Sequence, residues 1–396
     1  MNLSNLSGAD NAALQDIIRD RIRTAGPITF ADFLSLVLYH PTHGYYFACD
    51  PKLDYESSPN VHPVFGAMIA RQLADFWRLL GRPARFDVFE AGAGNGRLAG
   101  DVLRALRAEE PDLFDAVRYV VQDLAFSVRP EPAEEPARGE PKGRNAAAKE
   151  AFLERAGLPA DKVALAADLP ASPQVEGCIL SNELLDALPF HRVRMRDGYL
   201  MEVRVDREGD RFVDLETQPR REVRDYFVAL GLYPGEGCEA EVNLGALAWT
   251  GRAAAALRRG YILTIDYGYE AAEFYAPWRK GGTLLTFYRH TAGEDPYVRI
   301  GRQDITASVD FTSVIRAGEE AGLRTLGLAT QARFLAALGI GETLAQQPAA
   351  GQIEAFYGLR RAVIELTDAW GLGRIKVLIQ GRDVADETPM GLIPAS

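Results

Sequence analysis

The sequence predicts an α/β fold, a doubly wound and mostly parallel sheet with an N-terminal helical cap and a β-hairpin insertion. Three observations predict it. Short apolar runs recur at Phe86–Phe89, Arg118–Gln122, Val163–Ala166, Gly177–Ser181 and Tyr261–Ile265, with the length and composition of strands buried on both faces. Helical segments such as Leu98–Glu109 lie between several of them, which is the alternation of a parallel sheet. The run from Phe86 through Glu90, Gly92, Gly94 and Gly96 to Arg97 reads as a buried strand that breaks into a glycine turn, with a helix beyond.

From the N-terminus, Leu14, Ile17, Ile18 and Ile22, then Phe30, Phe33, Leu34 and Val37, recur at helical spacing over residues 11–40. Gly26 and Pro27 separate the two helices. His40, His43, Tyr45, Tyr46 and Phe47 make a loop dense in aromatics, and Phe65–Leu80 is a further amphipathic helix closed by Gly81. Arg129–Arg144 is rich in Pro, Glu and Gly with almost no apolar residue, so it is expected to be a mobile surface loop. Arg192–Thr217 alternates apolar and polar residues around Asp197-Gly198, a hairpin signal. Arg374–Gln380 is a late strand, expected at the antiparallel edge of the sheet, and the chain after Arg382 is expected to fray. The division that follows is 1–82 cap and aromatic loop, 83–190 first half of the core, 191–258 β-rich insertion and helix, 259–382 second half with a substrate-side insertion, and 383–396 tail.

Composition narrows the function. A net charge of −11 argues against a nucleic-acid binder or an anionic-membrane binder and suits a basic partner. Three cysteines without a C-x-x-C pair and five histidines give neither a disulfide framework nor a metal site. The N-terminus lacks a signal or transit pattern, and no window approaches the roughly 18 apolar residues of a membrane span. The expectation is a soluble, cytoplasmic protein; its oligomeric state stays open, a homodimer included.

In a doubly wound sheet, ligands bind outside the carboxyl ends of the strands. Glu90, Asp123, Asp168, Asn182-Glu183 and Asp266 all stand at such ends. Carboxylates there oppose a phosphate-rich ligand and suit one that presents an ammonium or hydroxyl donors, which points to S-adenosylmethionine (SAM). A dinucleotide turn would need glycine where this chain has Arg97. Glu90 with the backbone of Gly92, Ala93, Gly94 and Gly96 is expected to hold the methionine moiety. Asp123, 27 residues after Gly96, is placed to accept the ribose hydroxyls, and Asp168 the adenine amino group; each is otherwise a solvated loop acid. Asn182, Glu183 and Asp186 open the segment facing the transferable methyl. If that segment is helical, Glu183 and Asp186 share one face and form a carboxylate pair for a guanidinium; the plainer alternative is an Asn182 N-cap followed by acids that favour the helix start. His40, His43, His62 and His290 are general-base candidates or structural residues, His191 a packing residue, and Asp266 either holds the site backbone or touches substrate.

These motifs together resemble the MidA-type, SAM-dependent protein-arginine methyltransferases, whose mitochondrial members act on a respiratory complex I subunit. The likeness runs from about Ile28 to Leu378. It rests on Leu38-Tyr39-His40-Pro41 with Gly44-Tyr45-Tyr46, Ser58-Pro59 before Phe65-Gly66, Glu90 to Gly96, Asn182-Glu183 with Asp186 to Pro189, and Asp266 to Gly268. Farther on come His290, Asp304 to Ala307, Val309 to Phe311, Gln331 with Phe334-Leu335, and Lys376 to Leu378. The resemblance implies a class I methyltransferase fold, SAM as cofactor and a protein or peptide substrate. The chain resembles a divergent member: Asp123 stands for the family's usual Glu, and Asn60 and Ala67 for further common acids. The alternatives are methylation of an oxygen or carboxylate acceptor on a peptide or small molecule, and a non-catalytic assembly factor that keeps the fold.

Overall fold

The computed structural model describes residues 11–49, 57–123, 152–154, 156–345 and 353–394; the Pro/Glu-rich run Arg129–Arg144 lies outside the described residues. Seven strands make the main sheet: β1 (Phe86–Ala91), β2 (Val117–Gln122), β3 (Val163–Ala166), β4 (Val175–Asn182), β5 (Leu257–Asp266), β6 (Arg324–Thr330) and β7 (Lys376–Arg382). Their order is β3-β2-β1-β4-β5-β7-β6. The five strands β1 to β5 pair in parallel, and β7 runs antiparallel to both β5 and β6. The five parallel strands read from the sequence each fall inside an observed one, whereas the late strand begins at Lys376 and not at Arg374, which closes a short 3-10 turn.

One expectation is corrected here. The late strand β7 is not the edge; β6 is. The interior of β7 is buried throughout, from Val377 to Gly381, whereas no residue of β6 is fully buried. A continuous apolar run belongs between two neighbours, while the Arg, Thr and Gly of β6 tolerate an open side. A second correction concerns the tail. The Met390 N–H donates to Asp75 Oδ2 at 2.8 Å and the Gly391 N–H to Gln72 Oε1 at 2.8 Å, so residues 383–394 are strapped back onto the helix Val64–Leu79 rather than frayed.

Two helices cover one region of the sheet, α1 (Val64–Leu79) and α2 (Arg97–Glu109). Phe65, Met68, Leu73 and Phe76 join Leu98, Val102, Leu103 and Leu106 with Val88, Tyr119 and Tyr261 in one apolar cluster. At Gly66 a Cβ would lie 2.4 Å from Asp101 Cβ, so the missing side chain is what lets α1 and α2 approach. The strand order reverses between β1 and β4, and in doubly wound sheets ligands bind at such a switch point, outside the carboxyl ends of the strands.

The chain divides into two compact units, each drawn from three stretches. One carries the main sheet with residues 57–184, 250–267 and the chain from 315. The other holds the helices Ala12–Ala25 and Phe30–Tyr39 and an antiparallel sheet of Ile28–Thr29, His191–Arg196, Tyr199–Glu208, Arg211–Thr217 and Glu239–Val242. Its hairpin turns at Asp197-Gly198, both with positive φ (52° and 78°), the left-handed pair such a turn requires. The aromatic loop is tied within this unit: Tyr45 is fully buried and the Tyr46 hydroxyl donates to Asp304 at 2.9 Å. No described helix is long and apolar enough to cross a membrane.

Candidate functional site

The glycine turn is fastened by the end of the neighbouring strand. Gly92, Gly94 and Gly96 all have positive φ (70°, 53° and 74°), a region costly for residues with a Cβ. The Gly94 N–H donates to Asp123 Oδ2 at 2.9 Å, and the Ala93 N–H donates to the Gln122 carbonyl at 3.1 Å. Asp123 therefore has a first role in shaping the turn. A Cβ added at Gly94 would meet no atom of the described residues within 4 Å, so at Gly94 the turn presents bare backbone.

Glu90 stands under this turn and is buried. The Tyr119 hydroxyl, from β2, donates to its Oε2 at 2.7 Å. Burial pushes the Glu90 carboxyl up to about 7, against the pull of the Tyr119 bond, and the nearby Asp123 charge adds to the rise.

On the adjacent strand β4, Ala91 of β1 is matched in register by Ser181. Glu183, just past β4, has φ +50°, a strained value for a residue with a Cβ. Tertiary bonds impose it. The Glu183 N–H donates to the Ile265 carbonyl at 2.8 Å, and the fully buried Asp266 accepts from the Leu184 N–H at 3.1 Å and the Tyr267 N–H at 2.8 Å. Of the two roles open to Asp266, the geometry displays the backbone-holding one. Glu183 Oε1 accepts from the Ser58 N–H at 3.0 Å and from Asn182 Nδ2 at 3.1 Å. Burial pushes this carboxyl up to about 7 as well, with those two bonds opposing the rise. Among the described residues none donates to Glu183 Oε2, and the buried Asn182 Oδ1 and Ser181 Oγ also lack partners.

The expected helix after Asn182 does not form. Residues 183–190 run through bends and turns, with the Leu188 N–H on the Leu185 carbonyl at 3.2 Å. The reason is that the main-chain groups a helix would need are taken: the Leu185 carbonyl accepts from Asn243 at 2.7 Å and the Asp186 carbonyl from the Ala307 N–H at 3.1 Å, and Pro189 has no N–H to offer. Asn182 is thus no N-cap, and Glu183 and Asp186 share no helix face. Asp186 is buried within the other unit. Asp168 is exposed past β3, with both oxygens 2.9 Å from Arg252 Nη1.

Three of the histidines have local structural bonds. His62 Nδ1 accepts from the Val64 N–H at 3.0 Å and His40 Nδ1 from the His43 N–H at 3.2 Å, while His191 lies buried against Glu202 at 3.2 Å. Sequence reasoning missed Tyr119 and Ser58 as site residues. Tyr119 carried one signal, since a tyrosine in an apolar strand must find a partner for its hydroxyl.

A cavity of about 420 Å³ opens elsewhere in the same unit, at the amino ends of β1, β2, β4 and β5, lined by Arg85, Asp87, Arg118, Glu176 and Arg258. Its charges are spent on one another, Arg85 on Asp87 and Arg258 on Glu176. The carboxyl ends instead bring together Glu90, Asp123, Asn182 and Glu183, and among the described residues Glu183 Oε2 and Asn182 Oδ1 have no partner. Such a set fits a ligand rich in ammonium, hydroxyl and amino donors.

Residues 68–329 match the family described as "Putative S-adenosyl-L-methionine-dependent methyltransferase". The chain is 28% identical over 354 residues to the mitochondrial "Protein arginine methyltransferase NDUFAF7 homolog" of Drosophila melanogaster, covering 84% of this chain and 76% of that protein. It is 27% identical over 344 residues to the human mitochondrial protein arginine methyltransferase NDUFAF7, covering 81% and 72%. A crystal structure of a superfamily member from Burkholderia thailandensis, bound to S-adenosyl-homocysteine, matches with a TM-score of 0.82 at 31% identity over 97% of this chain and 95% of that one.

Proposed function

The chain belongs to this family of SAM-dependent methyltransferases, and we propose that it methylates a guanidinium nitrogen of an arginine in a protein. One observation carries the reading. Glu183 is pinned through Oε1 while Oε2 stays unclaimed among the described residues, next in sequence to the orphaned Asn182 Oδ1. Two acceptors of that kind match the fork of donors on a guanidinium, a geometry that an ammonium does not use as well. The names of the relatives at 27–28% identity support the same acceptor.

The residues also fit the cofactor. Glu90 and Asp123 provide carboxylates for an ammonium and for ribose hydroxyls, Asn182 a further polar group, and the bare backbone at Gly94 gives close approach. Asp168 enters this set only by sharing its carboxylate with Arg252. Bound SAM supplies a methyl group activated by its positive sulfur. The protein's part is to orient and to take a proton. Glu183, poised near neutrality, holds one guanidinium nitrogen by its N–H groups and accepts the proton which that nitrogen loses as the new N–C bond forms. Asp186 is not needed for this step.

The test is transfer of tritiated methyl from SAM to a library of arginine-containing peptides, followed by acid hydrolysis. Wild type should yield methylarginine, and Glu183→Gln should lower the rate by about 100-fold, the low end for a proton acceptor, with SAM affinity held within about threefold. Label released as volatile methanol by mild base, in a portion taken before the acid step, would place the methyl on a carboxylate and overturn the reading.

A further inference from the structure

We propose that Ser58 and Gln331 are positioning residues for Glu183, joined in a buried hydrogen-bond chain that starts at the last turn of the helix Ile353–Thr367 and ends on the Glu183 carboxylate. The inference rests on the role given to Glu183 above. The chain links four segments far apart in sequence. Gln331 is fully buried at the start of the helix Gln331–Ala337, where its N–H donates to the Ile375 carbonyl at 2.7 Å. Its Nε2 donates to the Leu366 carbonyl at 3.1 Å, and its Oε1 accepts from Ser58 Oγ at 3.1 Å. The Ser58 N–H then donates to Glu183 Oε1 at 3.0 Å.

The polarity of this chain is fixed from its far end. A carbonyl accepts only donors, so the Leu366 oxygen must face the amide nitrogen of Gln331. The amide oxygen is thereby turned to Ser58, whose hydroxyl has to donate to it. That spends the hydroxyl proton, and Ser58 reaches Glu183 through its main chain alone. The Ser58 side chain therefore anchors its own backbone N–H in place. Ser58 sits in a helix of only four residues, Ser58–Val61, and Pro59 next to it lacks an N–H. Little else local to the turn can aim that N–H. Ser58 and Gln331 are both 0% exposed, so water does not stand in for a lost bond.

The consequence falls on a strained residue. Glu183 keeps φ +50° because several bonds over-determine it. With the Ser58 N–H no longer held in place, Asn182 Nδ2 is the remaining donor to the Glu183 carboxylate among the described residues. The open Oε2 then loses its fixed direction, while the glycine turn and the Glu90–Tyr119 pair are untouched.

The experiment uses the full chain as Ser58→Ala, Gln331→Met (close in volume, without either bond), Glu183→Gln and wild type. Infrared difference spectra over a pH titration follow the Glu183 carboxyl, identified as the band absent from Glu183→Gln, and need no acceptor. Thermal unfolding and calorimetry with S-adenosyl-homocysteine control for folding and for the cofactor site. Ser58→Ala and Gln331→Met should each raise the carboxyl midpoint and lower kcat about tenfold on a peptide that the wild type methylates, roughly the worth of one buried hydrogen bond. Cofactor affinity should change less than twofold, and the double variant should be no worse than either single one. A carboxyl midpoint and a kcat unchanged in both variants, with only the melting temperature lowered, would reduce the chain to a structural role and overturn the proposal. If Gln331→Met does not fold, Ser58→Ala, which removes one atom, decides alone. Full activity in Glu183→Gln sinks the role of Glu183 instead, and the infrared arm still reports whether Ser58 and Gln331 hold it.

Discussion

At the scale of single residues, two carboxylates are kept in apolar surroundings by one or two donors each. For Glu90 that donor is the Tyr119 hydroxyl, at 2.7 Å. Tyr119→Phe removes it without changing packing volume and leaves a buried acceptor unsatisfied, which costs about 1–3 kcal/mol. The expected outcome is a lower urea midpoint together with a higher Glu90 pKa, since the lost bond was the one favouring the charged form. An unchanged midpoint would mean that water replaces the hydroxyl. Gly94 makes the complementary case. Its φ of +53° makes alanine strained by about 1–2 kcal/mol, yet the added methyl touches no atom of the described residues. Gly94→Ala should therefore stay folded and lose SAM affinity by at least tenfold in calorimetry. Wild-type affinity in a folded Gly94→Ala sample would show that the bare face of the turn is not the cofactor's.

At the scale of elements, the parallel strands were legible because burial on both faces leaves continuous apolar runs, and their carboxyl ends were legible because each breaks on an acid or amide. What was not legible is set by partners distant in sequence. The acids at Glu183 and Asp186 look like a helix start, but Asp266, about eighty residues on, takes the Leu184 N–H and Asn243 takes the Leu185 carbonyl, so tertiary bonds win over local preference. Ser58 and Tyr119 gave no sign of their targets, because strand register and loop return decide which atoms meet. The tail looked loose since its polar, Pro-containing run has no period, yet two main-chain N–H groups find side chains on α1. Chains cut after Arg382 should lose those two bonds, about 2 kcal/mol, and the cover that Leu392 places over Gly327. A lower denaturation midpoint measures the strap; an unchanged one would return the tail to a passive role.

At the scale of the whole molecule, the buried carboxyls make stability and cofactor binding depend on pH in opposite senses. Glu90 and Glu183 both move from 4.5 in the unfolded chain to about 7 in the fold. Because the folded value is the higher one, the native state holds more protons between those limits. The stability they contribute is complete below about 4.5 and is lost as pH rises through about 7, on the order of 3 kcal/mol for each group. Glu241 and Asp310, raised by burial in the other unit, act in the same direction. The cofactor-free protein should thus melt at lower temperature at pH 8 than at pH 5.5, and Glu90→Gln or Glu183→Gln should each flatten that slope and gain stability at pH 8. An ammonium placed beside Glu90 favours the charged form and lowers its pKa, so SAM binding should expel a proton near pH 6.5 and weaken as pH falls, by at most tenfold per pH unit. Calorimetry in buffers of different ionisation enthalpy counts that proton. Proton release in wild type that disappears in Glu90→Gln assigns the coupling to Glu90, whereas equal release from both proteins moves it to another group and removes Glu90 from the ammonium's side.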